Sequence, residues 1–289
     1  LKNIKSVIIR RIGLNIIMIQ GFETREITDI PIRAFVKSAD GTIHKKVKTV
    51  DQYENTEWPS FKDFSLPIAV FGVLRGTGDL IKHCMAKPQV FFYFDHAYRF
   101  GKRHGSGLLN EKIYRITRND FSLTYIDKLE KDDYDRIEKY KKHIDIKPWK
   151  KEGKYILVLP PSEHAKKFYG CPDWEEDTIM QIKSVTKREI VVRQKNSTDS
   201  LEKQLEEAFA CVSFNTTACI DALLNGVPSF VDGISCGLPV SKTNLLEIEQ
   251  PHYAEDRQKW IDSLLANQFT MSEIENGVAY KKVSAWRFA

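Results

Sequence analysis

Short apolar runs alternate along this chain with longer stretches whose apolar positions recur every three or four residues. The runs at 66–71, 89–94 and 154–159 have the length and continuity of buried strands. Two further runs, at 189–195 and 210–214, repeat the pattern in the second half of the chain. The stretches between them have helical spacing, and the alternation of strand and helix is typical of parallel sheets. The pattern therefore predicts an α/β protein.

A glycine-rich turn and a charged segment divide this alternation into two halves. The turn at 72–78 separates a strand from a helix, which predicts a βαβ unit. Residues 128–154 are densely charged in both signs and include Pro148 and Gly153, as expected of a linker. We therefore predict two Rossmann-like parallel-sheet halves that face an interdomain cleft. The predicted parts are an N-terminal domain (1–150), a C-terminal domain (151–255) and a helical tail that returns to the interface (256–289).

The first 60 residues follow a different pattern. Their apolar pieces at 6–10, 14–20 and 30–37 are rich in β-branched residues, and Asp40-Gly41 is a common turn dipeptide. These features predict a hairpin or a small sheet.

Composition narrows the class of protein. The chain has 289 residues, 42% of them hydrophobic, which is enough for a sizeable core. No apolar run approaches the roughly 18 residues that a membrane-spanning helix needs. Arg10 and Arg11 interrupt the apolar residues at the start of the sequence, which argues against a signal peptide there. The five cysteines are scattered and lack the spacing of metal ligands. We expect a soluble cytoplasmic protein, in the host cytoplasm if viral, with reduced thiols and without a membrane span or a bound metal.

The positive charge is concentrated in one segment. The chain has 44 Lys and Arg against 39 Asp and Glu, a net charge of 44 − 39 = +5. Residues 98–118 contain six cations and one acid, Glu111, interleaved with Tyr and Phe. This composition predicts a flexible loop that binds a polyanion, although such runs are more often solvated surface. The cations are Arg99, Lys102, Arg103, Lys112, Arg115 and Arg118.

A polar turn at 213–217 joins a buried strand to a helix. Its polar side chains lie where free backbone N–H groups and the helix dipole favour an anion, so a phosphate can bind there. Asp221 lies one turn further along the helix, where it can accept hydrogen bonds from ribose hydroxyls. The alternative is that Asn215 or Thr216 caps the helix and Asp221 is a solvated acid. The polar residues of the turn are Ser213, Asn215, Thr216 and Thr217.

The following helix, Cys219-Ile-Asp-Ala-Leu-Leu-Asn-Gly-Val-Pro228, supplies a family resemblance. It resembles the donor-binding motif of GT-B-type nucleotide-sugar glycosyltransferases, most closely the capsule-polysaccharide and Kdo-transferase branch, whose helix reads G-F-E-A-L-L-x-G-x-P-V. In that family the helix start receives the donor phosphate and the acid matching Asp221 binds the ribose. The resemblance covers about residues 154–245 and implies a UDP- or CMP-linked sugar donor, with no bound cofactor.

Two other positions fit the resemblance. Arg193 ends a strand that resembles one carrying an R/K-x-H-P signature, and Ser162 follows the strand that opens the donor domain. The resemblance implies that Arg193 meets the donor phosphate or carboxylate and that Ser162 contacts the diphosphate or monophosphate. The alternatives are a surface cation for Arg193 and a loop cap for Ser162. The sequence departs from the signature at Gln194-Lys195.

The glycosyl transfer that the resemblance implies, if it inverts the sugar configuration, needs a base that deprotonates the acceptor hydroxyl. Asp95 and His96 end a buried strand, with Asp95 as the base or as the residue that orients His96. A turn-capping aspartate beside a buried histidine is the alternative. The glycine-rich turn contributes Arg75, Gly76 and Thr77, which we predict to bind an anion or the acceptor.

These observations predict a metal-independent glycosyltransferase that acts on a hydroxyl of a polyanionic polymer. The basic segment favours DNA carrying a hydroxymethylated base, as modified by phage-type DNA glycosyltransferases, which the chain is also taken to resemble. The alternatives are a surface or capsule glycan as the acceptor, and a non-catalytic module that binds nucleotides or nucleic acid.

Overall fold

The computed structural model describes residues 18–45, 65–100, 112–122, 125–232 and 234–286. Within these ranges the chain forms ten strands and ten α-helices. The strands are β1 (Gln20–Phe22), β2 (Thr42–His44), β3 (Ile68–Phe71), β4 (Phe91–His96), β5 (Ile113–Arg118), β6 (Tyr155–Leu159), β7 (Glu189–Val192), β8 (Ala208–Ser213), β9 (Ser229–Val231) and β10 (Phe269–Thr270). The helices are α1 (Glu26–Ser38), α2 (Thr77–Ala86), α3 (Lys131–Lys141), α4 (Glu163–Tyr169), α5 (Trp174–Val185), α6 (Leu201–Glu207), α7 (Ala218–Leu224), α8 (Arg257–Ala266), α9 (Met271–Glu275) and α10 (Val278–Ala285).

The strands form two sheets. The first has six strands in the order β10-β5-β4-β3-β1-β2, and the second has four in the order β7-β6-β8-β9. In the first sheet β1 runs parallel to β2 and β3, whereas β10 runs antiparallel to β5. All pairs of the second sheet are parallel. The predicted α/β class with two sheets is confirmed, and β10 is an antiparallel addition to the first sheet.

The second sheet has an apolar core on both faces. Alternate residues of β6 point to opposite sides, so that Ile156 and Val158 pack with Ile182 of α5. On the other face Leu157 packs with Leu205 of α6. A strand buried on both faces reads as a continuous apolar run, which is why these strands were predictable from the sequence.

Gly226 ends the helix of the donor-like motif for a steric reason. Its φ of 76° lies in the left-handed region, and a Cβ atom at this position would come within 2.0 Å of the carbonyl oxygen of Pro148. The predicted helix stop is therefore confirmed.

The described residues group into two compact units. One comprises those up to Phe92 together with Ser272–Lys281, and the other comprises Tyr93–Met271 together with those from Lys282 onward. In the first unit the Phe35 ring of α1 packs edge-on against Phe92 and Tyr280. The division of the chain near residue 150 stays a prediction.

The predicted structure of the N-terminal region was wrong in one part. Residues 30–37 lie in helix α1 and not in a strand, because β1 and β2 are parallel and need a crossover between them. Asp40, with φ of 50°, ends this crossover, so Asp40-Gly41 does not close a hairpin. The predicted strand at 6–10 lies outside the described residues.

Two other predictions of local structure need correction. The basic segment is not a loop throughout, because its last part, Ile113–Arg118, is strand β5. In its described part, 257–286, the tail contains the helices α8, α9 and α10 and also the strand β10, which joins the first sheet beside β5. No helix in the described part of the chain is both long and apolar enough to cross a membrane.

The buried His44 of β2 predicts a loss of stability in mild acid. Its Nε2 lies 2.9 Å from Oε1 of Gln20, and burial lowers the pKa of His44 below its ordinary value near 6.5. The unfolded chain therefore takes up the proton first, so stability is full above about pH 6.5 and declines as the pH falls towards the lowered pKa. We expect the urea midpoint to fall between pH 7 and pH 5.

Replacing the ring should remove this dependence. The variant His44→Asn is expected to be less stable at pH 7 and to lose less of its urea midpoint on acidification than the parent. His164→Gln, which changes an exposed histidine, is the control and should follow the parent. Equal pH dependence in His44→Asn and the parent would show that His44 is not the responsible group.

Candidate active site

Asp95 lies at the end of β4, and three donors hold its carboxylate. Its Oδ2 accepts from Nη2 of Arg115 at 2.7 Å and from the hydroxyl of Tyr93 at 3.2 Å. Its Oδ1 accepts from the backbone N–H of His96 at 2.7 Å. The side chain of Asp95 is still 28% exposed. The carboxylate is thus fixed in position and open to solvent, as a general base requires.

Arg115 of β5 is the buried partner of this carboxylate. Only 9% of its side chain is exposed, and the guanidinium lies 4.8 Å from the ring centre of Tyr98. Burial alone would lower the pKa of Arg115, but the charge of Asp95 opposes burial and raises it. Burial also raises the pKa of Tyr93, which keeps its hydroxyl a hydrogen-bond donor. Asp95 therefore lies beside a permanent buried cation.

The predicted donor residues lie where the strand order of the second sheet reverses. The chain passes from β6 outward to β7 and returns to β8 on the other side of β6. In parallel α/β sheets, ligands bind outside the carboxyl ends of the strands at such a reversal. Ser162 follows β6, Ser213 ends β8, and Asn215 to Thr217 come directly after β8. The sequence thus brings these residues to one edge of the sheet.

Some of these side chains also cap helices. The hydroxyl of Ser162 accepts from the N–H of Ala165 at 3.4 Å at the start of α4. That of Thr216 accepts from the N–H of Ala218 at 3.3 Å at the start of α7. These are the capping contacts that the sequence offered as alternatives. In contrast, the hydroxyl of Ser213 is buried and has no hydrogen-bond partner among the described residues.

Tyr169, at the end of α4, connects the two groups of residues. Burial raises the pKa of the Tyr169 hydroxyl. A hydrogen bond with the side chain of Asn215 and the nearby charge of Arg115 lower this pKa, but burial has the larger effect. The charge of Asp95 also acts on this hydroxyl. The ring packs against Phe214 with centroids 5.2 Å apart. Tyr169 also packs against Phe121, and Phe121 packs against Tyr93 beside Asp95, with centroids 5.7 and 5.3 Å apart.

Arg99 and Asp221 form a second ion pair in the same unit. Nη1 of Arg99 donates to Oδ1 of Asp221 on helix α7. The backbone N–H of Arg99 donates to Oε1 of the buried Gln268 at 2.7 Å, and the neighbouring Asn267 accepts from the N–H of Ile116 in β5 at 3.1 Å. Segments far apart in sequence therefore hold both arginines in place.

Two other predicted cations bond within the protein. Nη1 of Arg193 donates to the carbonyl of Asp199 at 2.8 Å and to Oε1 of Gln204 at 2.7 Å, which fastens the loop after β7. Arg118 donates to the carbonyl of Ser284. The predicted roles of Arg193 and Arg118 towards ligands stay predictions. Lys102 and Arg103 lie outside the described residues.

The glycine-rich turn belongs to the other compact unit. Arg75 and Gly76 both have positive φ, 62° and 87°. The buried hydroxyl of Thr77 donates to the carbonyls of Gly72 and Leu74 at 2.9 and 2.7 Å, which closes the turn before α2. Anion or acceptor binding by Arg75, Gly76 and Thr77 stays a prediction.

An acidic cluster at the start of α3 has the spacing of a metal site. The carboxylates of Glu130, Asp132 and Asp133 lie within 4.8 Å of one another. The ammonium of Lys282 contacts all three, at 2.8, 2.5 and 3.2 Å. Lys282 thus balances part of this charge, and the cluster is a network of ion pairs.

Sequence reasoning missed the roles of Arg115, Tyr169 and Gln268. The charge pattern predicts Arg115 as a loop cation, although the run Ile113-Tyr-Arg-Ile-Thr117 has the β-branched and aromatic composition of a strand. That signal could have placed the Arg115 side chain inside the protein. Tyr169 and Gln268 carry no local signal, since tertiary packing alone brings them to the site.

Comparisons with known proteins give limited similarity. No protein-family model matches the sequence, and no curated protein matches it. Among solved structures, KpsC from Thermosulfurimonas dismutans, a beta Kdo 2,7 transferase, aligns at 12% identity and a TM-score of 0.49, covering 91% of this chain and 99% of that one. A beta Kdo 2,4 transferase structure of KpsC from the same organism aligns at 10% identity and a TM-score of 0.42, covering 86% and 98%. At these values neither similarity assigns a function to this chain.

Proposed function

We propose that this protein is a glycosyltransferase that moves a sugar from a nucleotide-sugar donor to a hydroxyl of a glycan. One observation carries the proposal. A continuous series of ring contacts runs from Asp95 to the donor turn. The ring of Tyr93, whose hydroxyl donates to Asp95, packs edge-on against Phe121. Phe121 packs against Tyr169, and Tyr169 packs against Phe214, which precedes Asn215. A candidate base and a candidate donor site therefore lie together in one compact unit.

The donor side rests on the strand reversal and on the resemblance of the motif at 219–228. A UDP- or CMP-linked sugar would bind at the edge where β6 and β8 end, which is where parallel sheets bind nucleotides. Ser162, Ser213 and the turn at 215–217 would contact its phosphate. The unpartnered hydroxyl of Ser213 offers one donor that no described residue uses.

The acceptor side rests on Asp95. In the proposed reaction the acceptor oxygen attacks the anomeric carbon, the bond from that carbon to the donor phosphate breaks, and Asp95 takes the hydroxyl proton. Arg115 would hold the carboxylate in its orientation, and His96 is the alternative base at the same strand end. The reaction needs no resident cofactor, since the nucleotide sugar is a co-substrate.

The cations of the basic segment support a glycan over DNA as the acceptor. The preference for DNA depended on six cations facing a polyanion. Arg99 and Arg115 are instead paired with carboxylates, and Arg118 donates to a backbone carbonyl. Half of the six cations thus bond within the protein. The DNA acceptor loses its main support, since phosphate contacts supply much of the affinity for DNA.

A panel assay tests the proposal. The protein is incubated with UDP- and CMP-linked sugars, alone and with either oligosaccharides or duplex DNA containing hydroxymethylated bases, and nucleotide release is followed. We expect one donor to release nucleotide faster when oligosaccharide is present, with EDTA having no effect. Release only with DNA would overturn the glycan assignment. Release with no donor and acceptor combination would overturn the transferase.

A further inference from the structure

The ion pair between Arg99 and Asp221 changes how the donor motif can be understood. Asp221 is the residue that the resemblance assigns to the ribose, yet its Oδ1 accepts from Nη1 of Arg99. The two residues are 122 positions apart in sequence, so the tertiary fold brings them together. Both remain reachable, with 26% of the Arg99 side chain and 37% of the Asp221 side chain exposed. The cation therefore lies on the donor motif itself, and not on a separate acceptor surface.

Arg99 is held in place by its backbone as well as by Asp221. Its N–H donates to the fully buried Gln268, and the next residue, Phe100, has φ of 65°. The Phe100 ring stacks on Tyr140, with centroids 6.4 Å apart, and lies 5.3 Å from the guanidinium carbon of Arg99. An arginine on an exposed, unpacked loop would lack this backbone hydrogen bond and this ring contact. The position of this guanidinium is therefore specified by the fold.

The guanidinium also has donors to spare. Arginine carries five N–H groups, and Asp221 engages one terminal nitrogen. Among the described residues the other N–H groups of Arg99 have no partner. The planar fork of arginine suits two oxygens of one phosphate, and a carboxylate behind it sets its orientation. Asp221 at the same time compensates the charge of Arg99 when no anion is present.

We propose that Arg99, oriented by Asp221, binds the phosphate of the nucleotide donor, and that Asp221 acts through Arg99. This inference rests on the proposed function, because it concerns the same donor site. It moves Arg99 from the acceptor side to the donor side. It also makes Asp221 a positioning residue for a phosphate contact.

Binding measurements separate the two roles of Asp221. Calorimetric titration with CMP and UMP is compared with titration by cytidine and uridine, which lack the phosphate. Arg99→Met should weaken binding of the preferred monophosphate at least tenfold and leave its nucleoside unchanged. Asp221→Asn should weaken the monophosphate by a smaller factor and likewise leave the nucleoside unchanged. The double variant should match Arg99→Met, because Asp221 acts through Arg99.

Arg188 provides the matched control. It pairs with Glu249 at similar exposure, 31% and 41% of the two side chains, at another place in the same unit. Arg188→Met should bind both probes as the parent does. Circular dichroism and thermal melting of all variants identify any loss of folding.

The other outcomes overturn the inference in distinguishable ways. Unchanged monophosphate affinity in Arg99→Met would make the pair purely structural. Equal losses for nucleoside and monophosphate in Asp221→Asn would restore Asp221 as the ribose ligand. Absence of binding to the parent would overturn both this inference and the proposed donor site. If binding depends on Arg99 but no sugar is transferred in the panel assay, the proposed transferase function is overturned and the role of Arg99 in phosphate binding stands.

Discussion

Replacing Asp95 with asparagine is expected to lower the turnover number for sugar transfer by about a hundredfold or more, the usual contribution of a general base. Asparagine has nearly the same shape, but its single oxygen can accept either from the N–H of His96 or from Tyr93 and Arg115, which donate to the other carboxylate oxygen of Asp95. It cannot take the proton of the acceptor hydroxyl. The loss should appear in the rate of nucleotide release at saturating donor and acceptor, with little change in donor affinity.

The control for this variant is Asp262→Asn, which changes a carboxylate bonded to Gln258 on helix α8. It should retain full turnover. Because Asp95→Asn also leaves Arg115 without its counter-charge, folding of the variant must be checked by circular dichroism. A folded Asp95→Asn protein with the parent's turnover number would remove Asp95 from the mechanism and favour His96 as the base.

Replacing Arg115 with methionine is expected to lower the free energy of unfolding by about 3 kcal/mol. Breaking a buried ion pair by removing one partner typically costs about 3–5 kcal/mol, because the remaining charge is left desolvated. The low end applies here because Asp95 is partly exposed and keeps the hydrogen bonds of Tyr93 and His96. Urea unfolding followed by tryptophan fluorescence measures the loss.

Two further variants make this result specific to the buried pair. The double variant Arg115→Met with Asp95→Asn should recover part of the lost stability, since neither charge then remains. Lys154→Met breaks the ion pair of Lys154 with Glu207, in which both side chains are largely exposed, and should cause no measurable loss. If Arg115→Met were as stable as the parent, the guanidinium would not be a desolvated partner of Asp95.

The strands of the second sheet could be predicted because burial on both faces leaves a continuous apolar run. Helix α1 could not, since Ile30, Ile32 and Val36 are β-branched and favour strands when taken alone. In the structure Ile32, Phe35 and Val36 are buried on one side of a helix. The parallel pairing of β1 and β2 decides the outcome, and that pairing is a tertiary property.

The residues of the candidate site also fall into those that the sequence could predict and those that it could not. Strand ends and a polar turn are local features, so Asp95, Ser213 and Asn215 could be selected from the sequence. The partner of each charge could not. Arg115 is 20 residues from Asp95, and Arg99 is 122 residues from Asp221, so both pairs depend on how the elements pack. The charge pattern of the sequence predicts both arginines on an exposed basic surface. In the structure each is paired with a carboxylate, and their side chains are 26% (Arg99) and 9% (Arg115) exposed.

The strand β10 has a consequence for the order in which the protein can fold. It pairs with β5, which carries Arg115, and the two residues before it receive the N–H groups of Ile116 and Arg99. These contacts span 151 and 169 residues. During synthesis on the ribosome, Arg99 and Arg115 therefore emerge long before the segment that fixes them, and contacts of such high sequence separation form slowly. A nascent chain released before residue 268 would contain every candidate catalytic and donor residue and still lack the completed site.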